Sequence, residues 1–136
     1  MFQTSNREYA LEVKNNRLRT MVGCRLIDIV DFYPIRKGEQ LIINGTNQGS
    51  EFTSVTSPLT GLKEGASFKV CTQHTIYTFM VKNGVLQTTC GHYAIAVTEL
   101  HDLVTGKRLR VKGKRLTLTG EADCEFITSP IVGICP

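Results

Sequence analysis

The sequence predicts a mainly β fold, a compact antiparallel barrel or sandwich with room for one short N-terminal helix. Three observations point there. Twelve glycines are spread through 136 residues, mostly flanking short runs rich in Val, Ile, Thr, Tyr and Phe. Apolar and polar residues alternate within such runs, as where Leu109 and Val111 sit between Arg108, Arg110 and Lys112. Asn83-Gly84 separates two of the runs, and Asn-Gly is the strongest short-range hairpin signal. With 41% hydrophobic and 21% charged residues, the chain reads as one β-rich domain over residues 1–136. Its length is enough to bury a core without staples.

The first elements admit two readings. Ser5-Asn6-Arg7-Glu8 fits a helix capping box, and Leu11, Leu18, Met21 and Val22 fall near helical spacing. Against this, Tyr9, Leu11 and Val13 alternate with Ala10, Glu12 and Lys14. Asn15-Asn16 then makes a two-residue turn that sets Glu12 opposite Arg19 and Val13 opposite Leu18. The hairpin explains more of the pattern, because paired asparagines are unfavourable inside a helix.

Arg25 to Phe32 is apolar enough for a buried strand, ended by Pro34, and Gln40 to Gly45 is a short strand. Ser67 to Val81 is a longer stretch, with a change of parity at Thr72 to Thr75 that one inserted residue would produce. Val85 to Leu100 is the return strand, with a bulge expected at Cys90-Gly91. Lys107 to Lys112 follows, and Gly113 is expected to turn the chain into Arg115 to Thr119.

One internal echo stands out. Thr56-Ser57-Pro58-Leu59-Thr60-Gly61-Leu62 resembles Thr128-Ser129-Pro130-Ile131-Val132-Gly133-Ile134. Two copies are too few for a solenoid. The plain reading is a pair of similar edge segments from a half-domain duplication, and the sharper one makes them equivalent walls of a site.

The strongest chemical feature is the basic run Lys107 to Arg115, which interposes Leu109, Val111 and Gly113 between six cations. On a strand, Arg108, Arg110 and Lys112 project from one face at intervals of ~7 Å, a spacing suited to phosphates. The competing reading is a solvated edge protected by Lys and Arg. Thr72, His74 and Tyr77 would offer base or sugar contacts beside the broken pattern. Cys71, His74, Cys90 and His92 form a zinc-compatible ligand set at poor spacing.

Nothing calls for a catalytic group or a cofactor. No P-loop, GxGxxG or GxSxG occurs, and the carboxylates are scattered. The odd set Cys24, Cys71, Cys90, Cys124 and Cys135 has no CxxC, and no apolar leader or span is visible. The expectation is a cytoplasmic chain with reduced thiols and no membrane partner.

Net charge is +4. The function expected from these features is non-enzymatic binding of a phosphate-bearing ligand through Arg108, Arg110, Lys112, Lys114, Arg115, Thr72, His74 and Tyr77. Modest charge and few aromatics favour a small nucleotide over nucleic acid. The alternatives are a homo-oligomeric structural or viral or phage accessory protein, and a zinc-stabilised β domain.

Overall fold

The computed structural model describes residues 1–136, and alternating side chains become strands along almost the whole chain. The first half holds β1 (Phe2–Thr4), β2 (Glu8–Tyr9), β3 (Leu11–Lys14), β4 (Arg17–Val22), β5 (Arg25–Tyr33), β6 (Gln40–Asn47) and β7 (Ser50–Leu62). The second holds β8 (Ser67–Thr72), β9 (Ile76–Lys82), β10 (Val85–Cys90), β11 (Tyr93–His101), β12 (Arg108–Thr117) and β13 (Gly120–Cys135). All thirteen strands belong to one antiparallel sheet.

No N-terminal helix forms. Asn15 and Asn16 sit at φ 54 and 59°, the left-handed pair that a tight hairpin turn needs. β3 and β4 pair with Glu12 opposite Arg19 and Val13 opposite Leu18. Where the capping box was expected, the Thr4 hydroxyl accepts from the Arg7 amide at 3.3 Å and donates to the Arg7 carbonyl at 3.2 Å. That contact closes a turn.

Three strand assignments also change. The parity break after Cys71 is a chain reversal, with Val70 opposite Tyr77 and Phe68 opposite Phe79. Cys90-Gly91 is likewise a turn, since Cys90 faces Tyr93 across it. Gly113 lies inside β12, paired with Val97 and Cys124, and the reversal comes after Thr117.

The ladders close on themselves. In the second half the order β8–β13–β12–β11–β10–β9 returns to β8, so each strand bonds to two neighbours. The first half runs β1–β7–β6–β5–β4–β3, and β2 brings the chain back to β1. Ring closure removes most of the open edges that a flat sheet would expose.

The two rings are copies of each other. Phe2↔Tyr9, Val13↔Leu18, Thr20↔Ile27, Ile29↔Gly45 and Phe32↔Ile43 recur as Val70↔Tyr77, Val81↔Leu86, Thr88↔Ile95, Val97↔Gly113 and Leu100↔Val111. The shift is 68 residues, half of the 136-residue chain. It becomes 72 in β7 and β13, because the β12–β13 hairpin is four residues longer: Thr4↔Leu59 recurs as Thr72↔Ile131. The two Thr-Ser-Pro segments are therefore equivalent in space. In each, the threonine hydroxyl accepts from a strand amide at 3.1 Å (Leu41 to Thr56, Leu109 to Thr128) and donates to the next serine carbonyl at 2.7 Å.

The halves meet about a two-fold axis through Phe32↔Leu100, where β5 and β11 pair. The Ile35 amide donates to the Thr98 carbonyl at 2.7 Å, and the twin Leu103 amide donates to the Val30 carbonyl at 2.9 Å. Such reciprocity is the signature of an isologous interface. Inward residues of both rings share a single cluster of 23 buried side chains, among them the twins Leu18/Leu86, Ile27/Ile95, Ile35/Leu103 and Leu41/Leu109.

Gly45 and Gly113 are where the ring backbones pass closest. A Cβ on Gly45 would lie 2.1 Å from the Asp28 carbonyl oxygen, and one on Gly113 2.0 Å from that of Ala96. A carbonyl within a ladder cannot step aside. Gly45→Ala or Gly113→Ala is expected to cost about 3 kcal/mol and to lower Tm by on the order of 10 °C in a thermal melt. Gly61→Ala, whose Cβ meets nothing within 4 Å, should stay within about 0.5 kcal/mol of wild type.

Candidate functional site

β12 runs between β11 and β13, so its cations do not protect a sheet edge. Leu109, Val111 and Gly113 point inward, which turns Arg108, Arg110, Lys112 and Lys114 to the outer face as the alternation requires. Carboxylates on neighbouring segments meet most of them. Arg110 lies 3.7 Å from Asp102, Lys112 lies 4.0 Å from Glu125, and Lys114 bonds to Asp123. Arg108 is exposed and takes no carboxylate. Arg115 has the opposite parity, and its guanidinium stacks over the Tyr93 ring at 4.4 Å.

Thr72, His74 and Tyr77 sit on a different part of the second ring. The Thr72 hydroxyl accepts from the Thr75 amide at 3.1 Å and donates to its carbonyl at 2.8 Å, which holds the β8–β9 turn. The exposed His74 anchors its backbone amide to Ser129 Oγ at 3.3 Å. Tyr77 packs its ring against Phe126 at 5.6 Å. His74 and Arg108 lie toward the same end of β13, since Ser129 and Pro130 face them in turn. Tyr77 is directed toward the core instead.

Cys71 Sγ lies 3.7 Å from Cys135 Sγ. Cys90 and His92 belong to the β10–β11 turn, and no three His, Cys, Asp or Glu side chains converge on a point. No helix is long and apolar enough to cross a membrane.

The cavities of most chemical interest lie along the seam. The Ile35–Thr98 hydrogen bond carries the loop after Pro34 over the second ring, which sets Arg36 and Lys37 beside Lys114. Between these cations, Ile35, Leu59 and Leu62 of the first half face Val85 and Val97 of the second across a groove of about 480 Å³. A polar cleft of about 350 Å³ adjoins it, sharing Arg36, Thr98 and Lys114 and adding Lys112, Glu99, Asp123 and Glu125. The seam thus brings Lys112 and Lys114 to a cavity and leaves Arg108 at the far end of the strand. Arg36 and Lys37 were not singled out in the sequence, because only the crossing of the halves gives them a neighbour.

Symmetry predicts a second such groove, and the twin positions differ. Val104, Thr105 and Thr46 stand where the open groove has Arg36, Lys37 and Lys114. Asn16 replaces Gly84, and its Oδ1 lies 3.0 Å from where a Cβ on Gly133 would sit. The matching site at Gly61 has nothing within 4 Å. The side chain of Asn16 therefore occupies the space that Gly84 leaves open; Arg17 stands on that side where the open groove has Val85, and the open groove holds three cations with Glu121.

A second polar group ties the seam itself. Tyr33 and His101 are twins, and their rings meet at 4.9 Å. Asp31 and Glu99, also twins, contact the two histidine nitrogens, Nδ1 at 3.3 Å and Nε2 at 2.9 Å. Asp31 further accepts the Asp102 amide at 3.0 Å. His101 and Asp102, at the end of β11, thus anchor one half to the other.

Two consequences are measurable. The hydrogen bond and charge of Lys114 hold the Asp123 carboxyl below its ordinary range. The contact persists at neutral pH and is released only as pH falls through that lowered value. Lys114→Met should move the Asp123 titration, followed by carboxyl NMR, back up toward an ordinary carboxylate. Burial, aided by the hydrogen bond with Cys135, raises the Cys71 thiol above its usual value. Mass-spectrometric alkylation at pH 8 should accordingly label the exposed Cys24 several-fold faster than Cys71.

Compared with family models, curated proteins and solved structures, the chain matches none of them.

Proposed function

We propose that this chain is a non-enzymatic binding module for a phosphate-bearing ligand of nucleotide size, seated in the open seam groove. The observation that carries this reading is the combination of an apolar floor and a rim of three cations against one carboxylate, Glu121, in one cavity of about 480 Å³. Small-molecule sites are typically concave, mostly apolar and on the order of 300–1,000 Å³, with a few polar groups that fix orientation. Leu62 and Val85 offer apolar surface for a flat base, backed by the buried Ile35, Leu59 and Val97. Arg36, Lys37 and Lys114 offer donors for phosphate, and Arg36 adds a planar fork for bidentate contact.

The partners of these cations fit the reading. Arg36 is held only loosely, 3.7 Å from Glu39 and half-exposed, and Lys37 takes no carboxylate. Both are free to turn onto an anion without losing a strong contact. Lys112 extends the positive rim into the adjoining cleft, where Glu99, Asp123 and Glu125 balance it. That balance favours a compact anion over a long polyanion, which would run against three carboxylates.

Calorimetric titration with ATP, GTP and a twelve-nucleotide single strand tests the assignment. The nucleoside triphosphates should bind with a shallow salt dependence and one site per chain. Arg36→Glu combined with Lys37→Glu should weaken them at least tenfold while leaving Tm unchanged. Tight binding of the single strand with a steep salt slope, lost in Arg108→Ala with Arg110→Ala and kept in the Arg36/Lys37 variant, would move the site to the other end of β12 and overturn the groove assignment.

A further inference from the structure

β8 closes the second ring against β13, and this seal carries two thiols. Cys71 pairs with Gly133 in the ladder and Lys69 pairs with Cys135, so the two cysteines are diagonal neighbours across the strands. Their sulfurs lie 3.7 Å apart, and of the five free cysteines only these two share a hydrogen bond. Both are half-buried on the outer face of the ring, flanked by the inward Val70, Thr72 and Ile134. At the seal of the first ring the twin positions hold Gln3 and Lys63, so a sulfur link is open to the second ring alone. Gly133 to Cys135 take their ladder bonds from β8 and from no other strand, whereas Glu121 to Ile127 pair with β12. A bond between Cys71 and Cys135 therefore fixes a stretch of wall that one neighbour supports.

We propose that Cys71 and Cys135 form a redox modification site, at which a small-molecule disulfide of the glutathione type converts the two thiols to an intrachain disulfide that locks the second ring shut. A disulfide requires adjacent backbones whose side chains turn toward each other, and the sulfur contact shows both cysteines already pointing together. Burial and the hydrogen bond with Cys135 hold the proton on Cys71, which leaves Cys135 as the sulfur that reacts first. The Cys135 thiolate attacks one sulfur of oxidised glutathione, forms a mixed disulfide and releases one glutathione. Cys71 then gives up its proton and attacks the Cys135 sulfur. The bond to glutathione breaks, and the second glutathione leaves as its thiol. Two electrons and two protons pass from the cysteines to the oxidant, and a dithiol reductant reverses both steps.

The experiment incubates the folded chain with excess oxidised glutathione at pH 8, then applies an acid quench, intact mass measurement and peptide mapping. The expected product is a monomer lighter by two hydrogens, with the bond mapped to Cys71 and Cys135. The bond closes a long loop, so it should raise Tm by on the order of 10 °C, and dithiothreitol should return Tm to its starting value. Cys71→Ser should stop at the glutathione adduct on Cys135, with no rise in Tm on oxidation. The mass and Tm of the unaltered chain do not depend on how that variant folds. A wild-type product that keeps glutathione on Cys135 would overturn the proposal. So would a bond that maps to Cys24 or joins two chains, or a Cys71–Cys135 bond that leaves Tm unchanged. Neither cysteine lines the seam groove, so nucleotide binding there is read separately and does not bear on this outcome.

Discussion

Ring closure is the constraint on which the rest of this structure depends. Six short strands form a closed ladder only if some of them bend sharply, and the bending brings backbones to distances that a side chain forbids. Gly45 beneath the Asp28 carbonyl and Gly113 beneath that of Ala96 meet this demand at the same point of each ring. Irregularities in register stand nearby, between Ile29 and Asp31 in one ring and between Val97 and Glu99 in the other. Bulges raise local twist and re-aim side chains. The side chains re-aimed here are Asp31 and Glu99, which grip His101 at the seam. Closure and the joining of the halves therefore share a cause.

A pair of identical rings would present two identical grooves. The side chains that depart from symmetry make the two unlike in shape and in charge at once. Gly84 against Asn16 opens one groove and fills the other, while Arg36, Lys37 and Lys114 against Val104, Thr105 and Thr46 charge the open one. The axis itself holds a milder difference, Tyr33 against His101, whose rings meet at a tilt of 40°. The buried twins differ only in bulk: Phe32 against Leu100, Ile29 against Val97, Ile43 against Val111. Packing tolerates exchange among apolar residues of similar volume, so the core kept its pattern while the seam surface acquired two characters.

Much of the fold was legible in the sequence because it rests on local rules. Alternation announced the strands, and Asn15-Asn16 and Asn83-Gly84 announced the turns that β3, β4, β9 and β10 need. The misread places share a physical reason. A parity shift after Cys71 fits a bulge and a tight reversal equally well, and only the Thr72 hydroxyl contact with Thr75 decides between them. Gly113 resembles a turn glycine, yet its role is to let a neighbouring carbonyl pass. The duplication shows as runs of identity in Val13-Lys14-Asn15 against Val81-Lys82-Asn83 and in the Thr-Ser-Pro copies, where each threonine hydroxyl replaces a ladder contact and a substitute would lose two hydrogen bonds. The groove was illegible because Arg36 and Lys37 follow no periodic pattern, and a hydrogen bond to a strand of the other half positions them.

The order in which the rings close bears on how the chain acquires its structure during synthesis. The first ring is sealed by β1 against β7, so all its strands exist once residue 62 has emerged. The second is sealed by β8 against the last residues of β13, with Lys69 opposite Cys135. Until Leu100 and Leu103 have emerged, Phe32 and Ile35 lack their apolar surface, and the completed first ring must hold an unsheltered face in water. Contacts so distant along the chain form slowly, because loop closure precedes any gain from packing. A vectorially made chain therefore passes through a half-built state with an exposed face of known composition, the kind of surface on which folding assistance acts.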